Sequence, residues 1–197
     1  MNTLGSLLLF AVLLHGGAPQ KPLLVITKDG YPAGHSSPEG AACDLARAFI
    51  NCDAELFRST CLTSFGGGVN GKKYQSFLNQ TAAAIKAQKK KSPQSRQGPK
   101  SIEKVYAVRR LSKGGPESYA QATLNFKSVR FVDVVVQLRS GDLTSIRTMV
   151  LQDATGKWLV HPIPSLSPIL SMGLNEEPDS KIEIGAAYTL TQKRPGA

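Results

Sequence analysis

Acidic residues, cysteines and recognisable catalytic patterns are all scarce in this chain. Fourteen Asp and Glu stand against twenty-four Lys and Arg in 197 residues, a formal net charge of +10 at pH 7. Such a surplus either keeps a globular protein soluble or favours anionic partners such as nucleic acid, phospholipid or acidic polysaccharide. The three cysteines, Cys43, Cys52 and Cys61, do not have the spacing of a metal site. The three histidines, His15, His35 and His161, do not cluster with them, which argues against zinc. No Ser-His-Asp, zinc or nucleotide pattern is visible. Gly66-Gly67-Gly68 lacks the Gly-Lys-Ser/Thr ending and the preceding strand that a phosphate loop needs. No cofactor and no metal are expected.

A long apolar run is also missing. Leu4 to Leu14 is shorter than the roughly 20 residues of a membrane-spanning helix. With the small residues Gly16-Gly17-Ala18 behind it, the run reads as a secretory leader over residues 1–18, cleaved near Ala18. Met1-Asn2-Thr3 contains no Lys or Arg, so only the terminal amine supplies the positive charge ahead of it. No Cys follows the run, which argues against lipoprotein attachment. The expected location is outside the cytoplasm, periplasmic or secreted. An uncleaved leader would make the chain membrane-anchored instead.

Hydrophobic residues make up 41% of the chain, enough for the core of one domain. The stretch from Ser37 to Cys61 organises that domain as two short helices joined by a sharp turn. Ser37 before Pro38 and Glu39 suits a helix start: the hydroxyl accepts from the first turn, Pro fits the first helical position, and the acid meets the positive dipole end. Ala42, Leu45, Phe49 and Cys52 recur on one helical face, Asn51-Cys52-Asp53 breaks the run, and Asp53 caps a second helix that buries Leu56 and Phe57. Neither helix is long enough to be stable alone, so each must cover a sheet or another helix. Cys43 and Cys61 lie equally far from the turn at Cys52. An antiparallel helix pair would bring them level, so a Cys43–Cys61 bridge is preferred in an exported protein, the alternative being three buried thiols.

Residues 19–36 read as a lead-in loop, punctuated by Asp29-Gly30, Pro32 and Gly34. A third helix is expected from Gly71 to Lys90, with Tyr74, Phe77, Leu78, Ala82 and Ile85 on one stripe. Lys86, Lys89, Lys90 and Lys91 complement its C-terminal dipole, and Arg96 and Lys100 extend them. No acid occurs between Lys86 and Lys100, which reads as an exposed basic arm. From Ser101 the period changes to alternation. Strands are expected over Ile102–Leu111, Tyr119–Phe126, Arg130–Leu138, Ser145–Leu151 and Lys157–His161, with turns at Lys113–Pro116, Ser140-Gly141-Asp142 and Asp153–Gly156. Helices first and an antiparallel meander second predict an α+β fold. Residues 163–197 read as an extended or disordered tail.

Three helices followed by a curved antiparallel sheet ending in a Gly-x-Trp strand resemble the nuclear-transport-factor-two-like, or cystatin-like cone, superfamily, in its small exported bacterial form. The matching pieces are Pro38-Glu39-Gly40-Ala41-Ala42, Phe49-Ile50-Asn51-Cys52-Asp53 and Asp153-Ala154-Thr155-Gly156-Lys157-Trp158, within residues 37–162. The basic arm and a possible extra strand in Tyr119–Leu151 depart from the simplest members. The resemblance implies a cone of three N-terminal helices on a curved antiparallel sheet of four to five strands, with a pocket between them. Members include cyclase-like and isomerase-like enzymes as well as non-catalytic binding or assembly domains, so the fold alone decides no activity.

Asp133 is the best candidate for chemistry, because a carboxylate inside Phe131-Val132-Asp133-Val134-Val135-Val136 is exposed or used. Burial would raise its pKa and fit it for general-base work. Alternation instead puts it with Phe131, Val135 and Gln137, opposite the apolar face of Val132, Val134, Val136 and Leu138, and so outward. His161 lies three residues after Trp158, and nothing in the sequence brings it to Asp133. Tyr74, Tyr106 and Trp158 are candidate pocket aromatics, although aromatics at such spacing are usually core. Lys86, Lys89, Lys90, Lys91, Arg96 and Lys100 are candidate anion contacts, with no aromatics interleaved for base stacking. The leading expectation is an exported, non-enzymatic domain that binds a small ligand or a protein partner, with a homodimer through the open sheet face as one form. The rivals are a cofactor-independent cyclase or isomerase using Asp133, and an anionic-polymer module using residues 86–100.

Overall fold

The computed structural model describes residues 25–64, 68–109, 126–162 and 180–184. The leader, the Tyr119–Asn125 part of the expected strand and its preceding turn lie outside them, as does most of the tail.

A short hairpin comes first, β1 (Val25–Ile26) against β2 (Pro32–Ala33), followed by helices α1 (Pro38–Ile50), α2 (Ala54–Thr60) and α3 (Gly68–Lys89). The remaining described strands are β3 (Pro99–Arg109), β4 (Ser128–Leu138), β5 (Leu143–Gln152), β6 (Trp158–His161) and β7 (Ser180–Ile184). They form one antiparallel sheet in the order β6-β5-β4-β3-β7. The class is therefore α+β, with the helices preceding the sheet.

The helix ends follow from side-chain chemistry. Ser37 accepts from the Gly40 amide at 3.0 Å, with Pro38 in the first turn. Asp53 accepts from Glu55 and Leu56 amides, both at 3.0 Å. Between these caps Cys52 takes a left-handed φ of 52°, which ends α1 sharply and redirects the chain into α2. Gly40 has a different constraint: a Cβ there would fall 2.5 Å from the Gly34 carbonyl oxygen, so only glycine lets β2 lie against α1.

The expected lead-in loop is a built element. Arg47 on α1 donates to both Asp29 oxygens at 2.8 Å, to Asp44 at 2.8 Å, to Thr27 Oγ1 and the Pro32 carbonyl at 2.7 Å, and to the Tyr31 carbonyl at 3.1 Å. Asp44 takes a further bond from the Gly34 amide at 2.7 Å. Burial works against the Asp29 carboxylate, but hydrogen bonds from Arg47 and Thr27 outweigh it and hold its pKa below the ordinary value. Beyond the hairpin, the His35 carbonyl accepts from the Trp158 amide at 2.9 Å, tying the segment to β6.

The core lies where α1, α2 and α3 meet the sheet. Ala42, Leu45 and Phe57 from the first helix pair, Tyr74, Leu78, Ala82 and Ile85 from α3, and Val105, Val132, Val134 and Val136 from the sheet are all buried. The stripe read for the third helix is the buried one. One expectation fails on β4. Phe131 and Asp133 are each 1% exposed, so both faces of this strand are covered over its centre. β4 is the middle strand, with β3 and β5 on its two sides. The tail expectation also changes, since Ser180–Ile184 pairs with β3 along Val105–Arg109.

Candidate functional site

A cavity of about 320 Å³ opens between the helices and the sheet. Leu45 and Phe49 of α1, Phe57 of α2 and Phe77 of α3 wall one side, and Ile146, Arg147 and Thr148 of β5 wall the other. Pro99, His161 and Pro162 complete it. The wall is apolar because α1 and α3 turn their hydrophobic stripes inward here, and Phe49 packs edge-on against Phe57 with centroids 5.8 Å apart. Polar groups are few. Thr148 donates its hydroxyl to the Val132 carbonyl at 3.2 Å, so its oxygen keeps only acceptor capacity. A second cavity of about 120 Å³ shares the Phe49 and Pro99 walls and runs along Thr81, Ala84, Ile85 and Gln88 of α3 to Gln97 and Gly98.

Asp133 does not face solvent. Arg147 stands directly across from it in the β4–β5 register and grips both its oxygens, at 2.7 Å from Nε and 3.0 Å from Nη2. This counter-charge is what permits a carboxylate in the middle of a valine strand. The same two-pronged pair occupies the oxygens a general base would use.

His161 does reach the cavity. It is 1% exposed, with its ring 5.6 Å from that of Tyr74. Burial pulls its pKa down to about 4, so the ring is neutral at pH 7. The interaction assigned to Asp133 is the one with Arg147, and that assigned to the His161 ring is its contact with Tyr74.

The three aromatics expected to line a pocket are not among the residues around the larger cavity. Tyr74 is fully buried because its hydroxyl is satisfied by the Leu62 carbonyl at 2.8 Å, and burial raises its pKa. Trp158 is held by its backbone bond to His35, and Tyr106 is half-buried on β3 opposite Asp133 in register. Phe49, Phe57 and Phe77 take the lining role instead. Phe49 and Phe77 were legible as apolar helix positions, but nothing in their spacing distinguishes a cavity wall from a filled core.

All three cysteines are buried free thiols, so the expected Cys43–Cys61 bridge is not formed. Burial pushes the Cys43 and Cys61 thiols up to about 12, which makes them poor nucleophiles. Among the described residues no group of His, Cys, Asp and Glu could hold a metal ion, and no helix is long and apolar enough to cross a membrane.

The basic arm is exposed as expected at Lys86, Lys89, Lys90, Lys91 and Lys100. Lys86 lies 3.8 Å from Glu55, and Lys100 reaches Gln137 at 3.4 Å. Arg96 is half-buried and folds back on the helix end, donating from Nη2 to the Lys89 carbonyl at 3.3 Å. A short 3-10 turn, Pro93–Ser95, makes this return possible.

No family model, no curated protein and no solved structure matches this chain.

Proposed function

We propose that this chain is an exported, non-enzymatic binding domain of the nuclear-transport-factor-two-like cone type, and that it takes a small apolar ligand between its helices and its sheet. The observation that carries the reading is the cavity of about 320 Å³ walled by Leu45, Phe49, Phe57, Phe77 and Ile146. Its size falls at the small end of ligand pockets, and an apolar wall with a few polar groups is the composition such sites have. The order of elements, three helices and then an antiparallel sheet, supports the cone reading. The apolar run before Gly16 supports export.

A cyclase or isomerase reading has one observation in its favour, the presence of His161 on the cavity wall. Its weak basicity, with a pKa near 4, suits it poorly to accept a proton at pH 7. Asp133, the other candidate base, has both oxygens engaged by Arg147. The arrangement favours binding over turnover.

The test is a titration with a neutral apolar dye such as Nile red, followed by fluorescence. Saturable binding at one site per chain is expected, with Ile146→Trp raising Kd at least about tenfold by filling the space, and circular dichroism confirming that the variant is folded. Equal binding by the variant would overturn the reading. For export, the mass of protein recovered outside the cytoplasm should lack the leader, and an intact mass would contradict it.

A further inference from the structure

Cations far apart in sequence gather at one end of the fold. Lys89, Lys90 and Lys91 stand at the end of α3, and all three are exposed. The chain then doubles back: Arg96 Nη2 donates to the Lys89 carbonyl at 3.3 Å, and the Gln97 amide bonds to Gln88 Oε1 at 3.3 Å. The Gly98 carbonyl accepts from the Arg139 amide at 3.0 Å, which brings in the turn between β4 and β5. Lys100, at the start of β3, reaches Gln137 Oε1 at 3.4 Å, and Leu143 stands across from Gln137 in the β4–β5 register. Lys100, Arg139 and Leu143 are all exposed, and Leu143, at 63%, is the most exposed large hydrophobic among the described residues. The carboxylates along these segments are Asp142, which accepts from the Ser140 hydroxyl at 2.8 Å, and Glu103, which accepts from the Ser101 hydroxyl at 2.6 Å. Five exposed cations therefore stand against two carboxylates, with Lys86 set aside because Glu55 lies 3.8 Å from it.

We propose that this end of the domain is a docking surface for an anionic phospholipid bilayer, with the five cations on the headgroups and Leu143 entering the interface between them. Each basic side chain held near an anionic membrane adds to the attraction. An exposed leucine gains nothing against a polyanion that presents only phosphate or sulfate, but it leaves water on entering a bilayer interface. Nucleic acid is the poorer fit for a second reason. Residues 86–100 and 139–143 contain no Phe, Tyr or Trp on which bases could stack. Four of the five cations are lysines, whose ammonium is a point charge and not the two-pronged fork that suits paired acceptors. The surface and the cavity use different residues, so the two readings stand or fall separately.

The experiment is co-sedimentation of the full chain with large vesicles, either of pure phosphatidylcholine or with about 30% phosphatidylglycerol. Binding to the anionic vesicles is expected, and it should fall as salt is added. Lys89→Gln/Lys90→Gln should weaken it about 30-fold, at about fivefold for each charge near the surface. Arg139→Gln should cost about fivefold, which tests whether the turn and the helix end act as one surface. Leu143→Ser should weaken binding at least about threefold. Lys72→Gln/Lys73→Gln removes the same charge from the exposed opposite end of α3. That end is about 25 Å away, beyond the Debye length of about 8–10 Å, so binding should stay within about twofold.

Loss of the anionic vesicles by Lys89→Gln/Lys90→Gln, with Nile red still bound, would support a membrane surface separate from the cavity. Equal binding to neutral and anionic vesicles would assign attachment to an apolar segment such as Leu4 to Leu14 and overturn the proposal. Equal losses at the two ends of α3 would reduce the effect to net charge and overturn it too, and Arg139→Gln without effect would dismiss the joint surface. Vesicle binding unchanged in Leu143→Ser would make this a general polyanion site and refute the bilayer assignment, as would a labelled DNA duplex bound more tightly than the vesicles.

Discussion

Replacing Arg47 by Met should be among the most damaging single changes in the molecule, and its cost can be worked from the surroundings. The Arg47 and Asp44 side chains are only 10% and 11% exposed, whereas that of Asp29 is 38% exposed. Without the guanidinium, Asp29 can turn toward water, but Asp44 stays buried with the Gly34 amide as its assigned partner. Removing one member of a buried ion pair costs about 3–5 kcal/mol, because the other charge is stranded. The backbone carbonyls of Tyr31 and Pro32 lose their donor as well, which unlatches the β1–β2 hairpin from α1. A loss of about 4 kcal/mol corresponds to a fall in Tm of roughly 10–20 °C for a domain of this size. Urea unfolding at pH 7 measures the free energy, and trypsin cleavage at exposed Lys28 reports the release of the hairpin. Arg47→Met/Asp44→Leu should recover much of the loss, since the stranded charge is then gone. A single-variant cost below about 1 kcal/mol, or no recovery in the double variant, would refute the reasoning.

Three further outcomes are expected. Arg147→Leu should destabilise the sheet by about 2–4 kcal/mol, at the lower end because its side chain is 22% exposed, while Asp133→Val/Arg147→Leu should be near wild type; equal losses in both, by urea titration, would dismiss the pair as a stability element. Because the His161 pKa is depressed from 6.5 to about 4 in the fold, its neutral burial contributes fully above the unfolded value and is lost as pH falls from 6.5 toward 4. About 3 kcal/mol should disappear over that window and should be absent in a folded His161→Phe variant, so an unchanged slope of stability against pH would contradict the assignment. Thiol titration should find almost no reactive cysteine in the native protein and three in denaturant without reductant; one thiol in denaturant would mean that two of the three are bridged and would contradict the free-thiol arrangement.

What could be read from sequence was local. Ser37 and Asp53 marked the helix starts, the Tyr74-Leu78-Ala82-Ile85 stripe marked the face of α3, and Gly141 and Gly156 fell at turns with φ of 99° and 91°. The misses are long-range. Asp133 looked exposed because its partner lies fourteen residues further on, across a strand register that alternation does not specify. The hairpin of residues 25–33 looked like loop because it is held by Arg47, whose role comes from Asp29 and Asp44 converging on it. β7 alternates, Lys181-Ile182-Glu183-Ile184, but over so few residues that the pattern does not stand out from the polar segment before it. The cavity was invisible for a physical reason: Phe49, Phe57 and Phe77 satisfy the same periodicity whether they fill a core or surround a space.

The binding claim is tested most directly by methyl NMR. With Leu, Ile and Val methyls labelled and Nile red titrated in, the shifts of Leu45 and Ile146 should move together and saturate at one equivalent, while Leu143, 63% exposed at the start of β5, should not respond. Movement at Leu143, Val25 and Ile26 with Leu45 and Ile146 unchanged would place the dye on the surface and contradict the account.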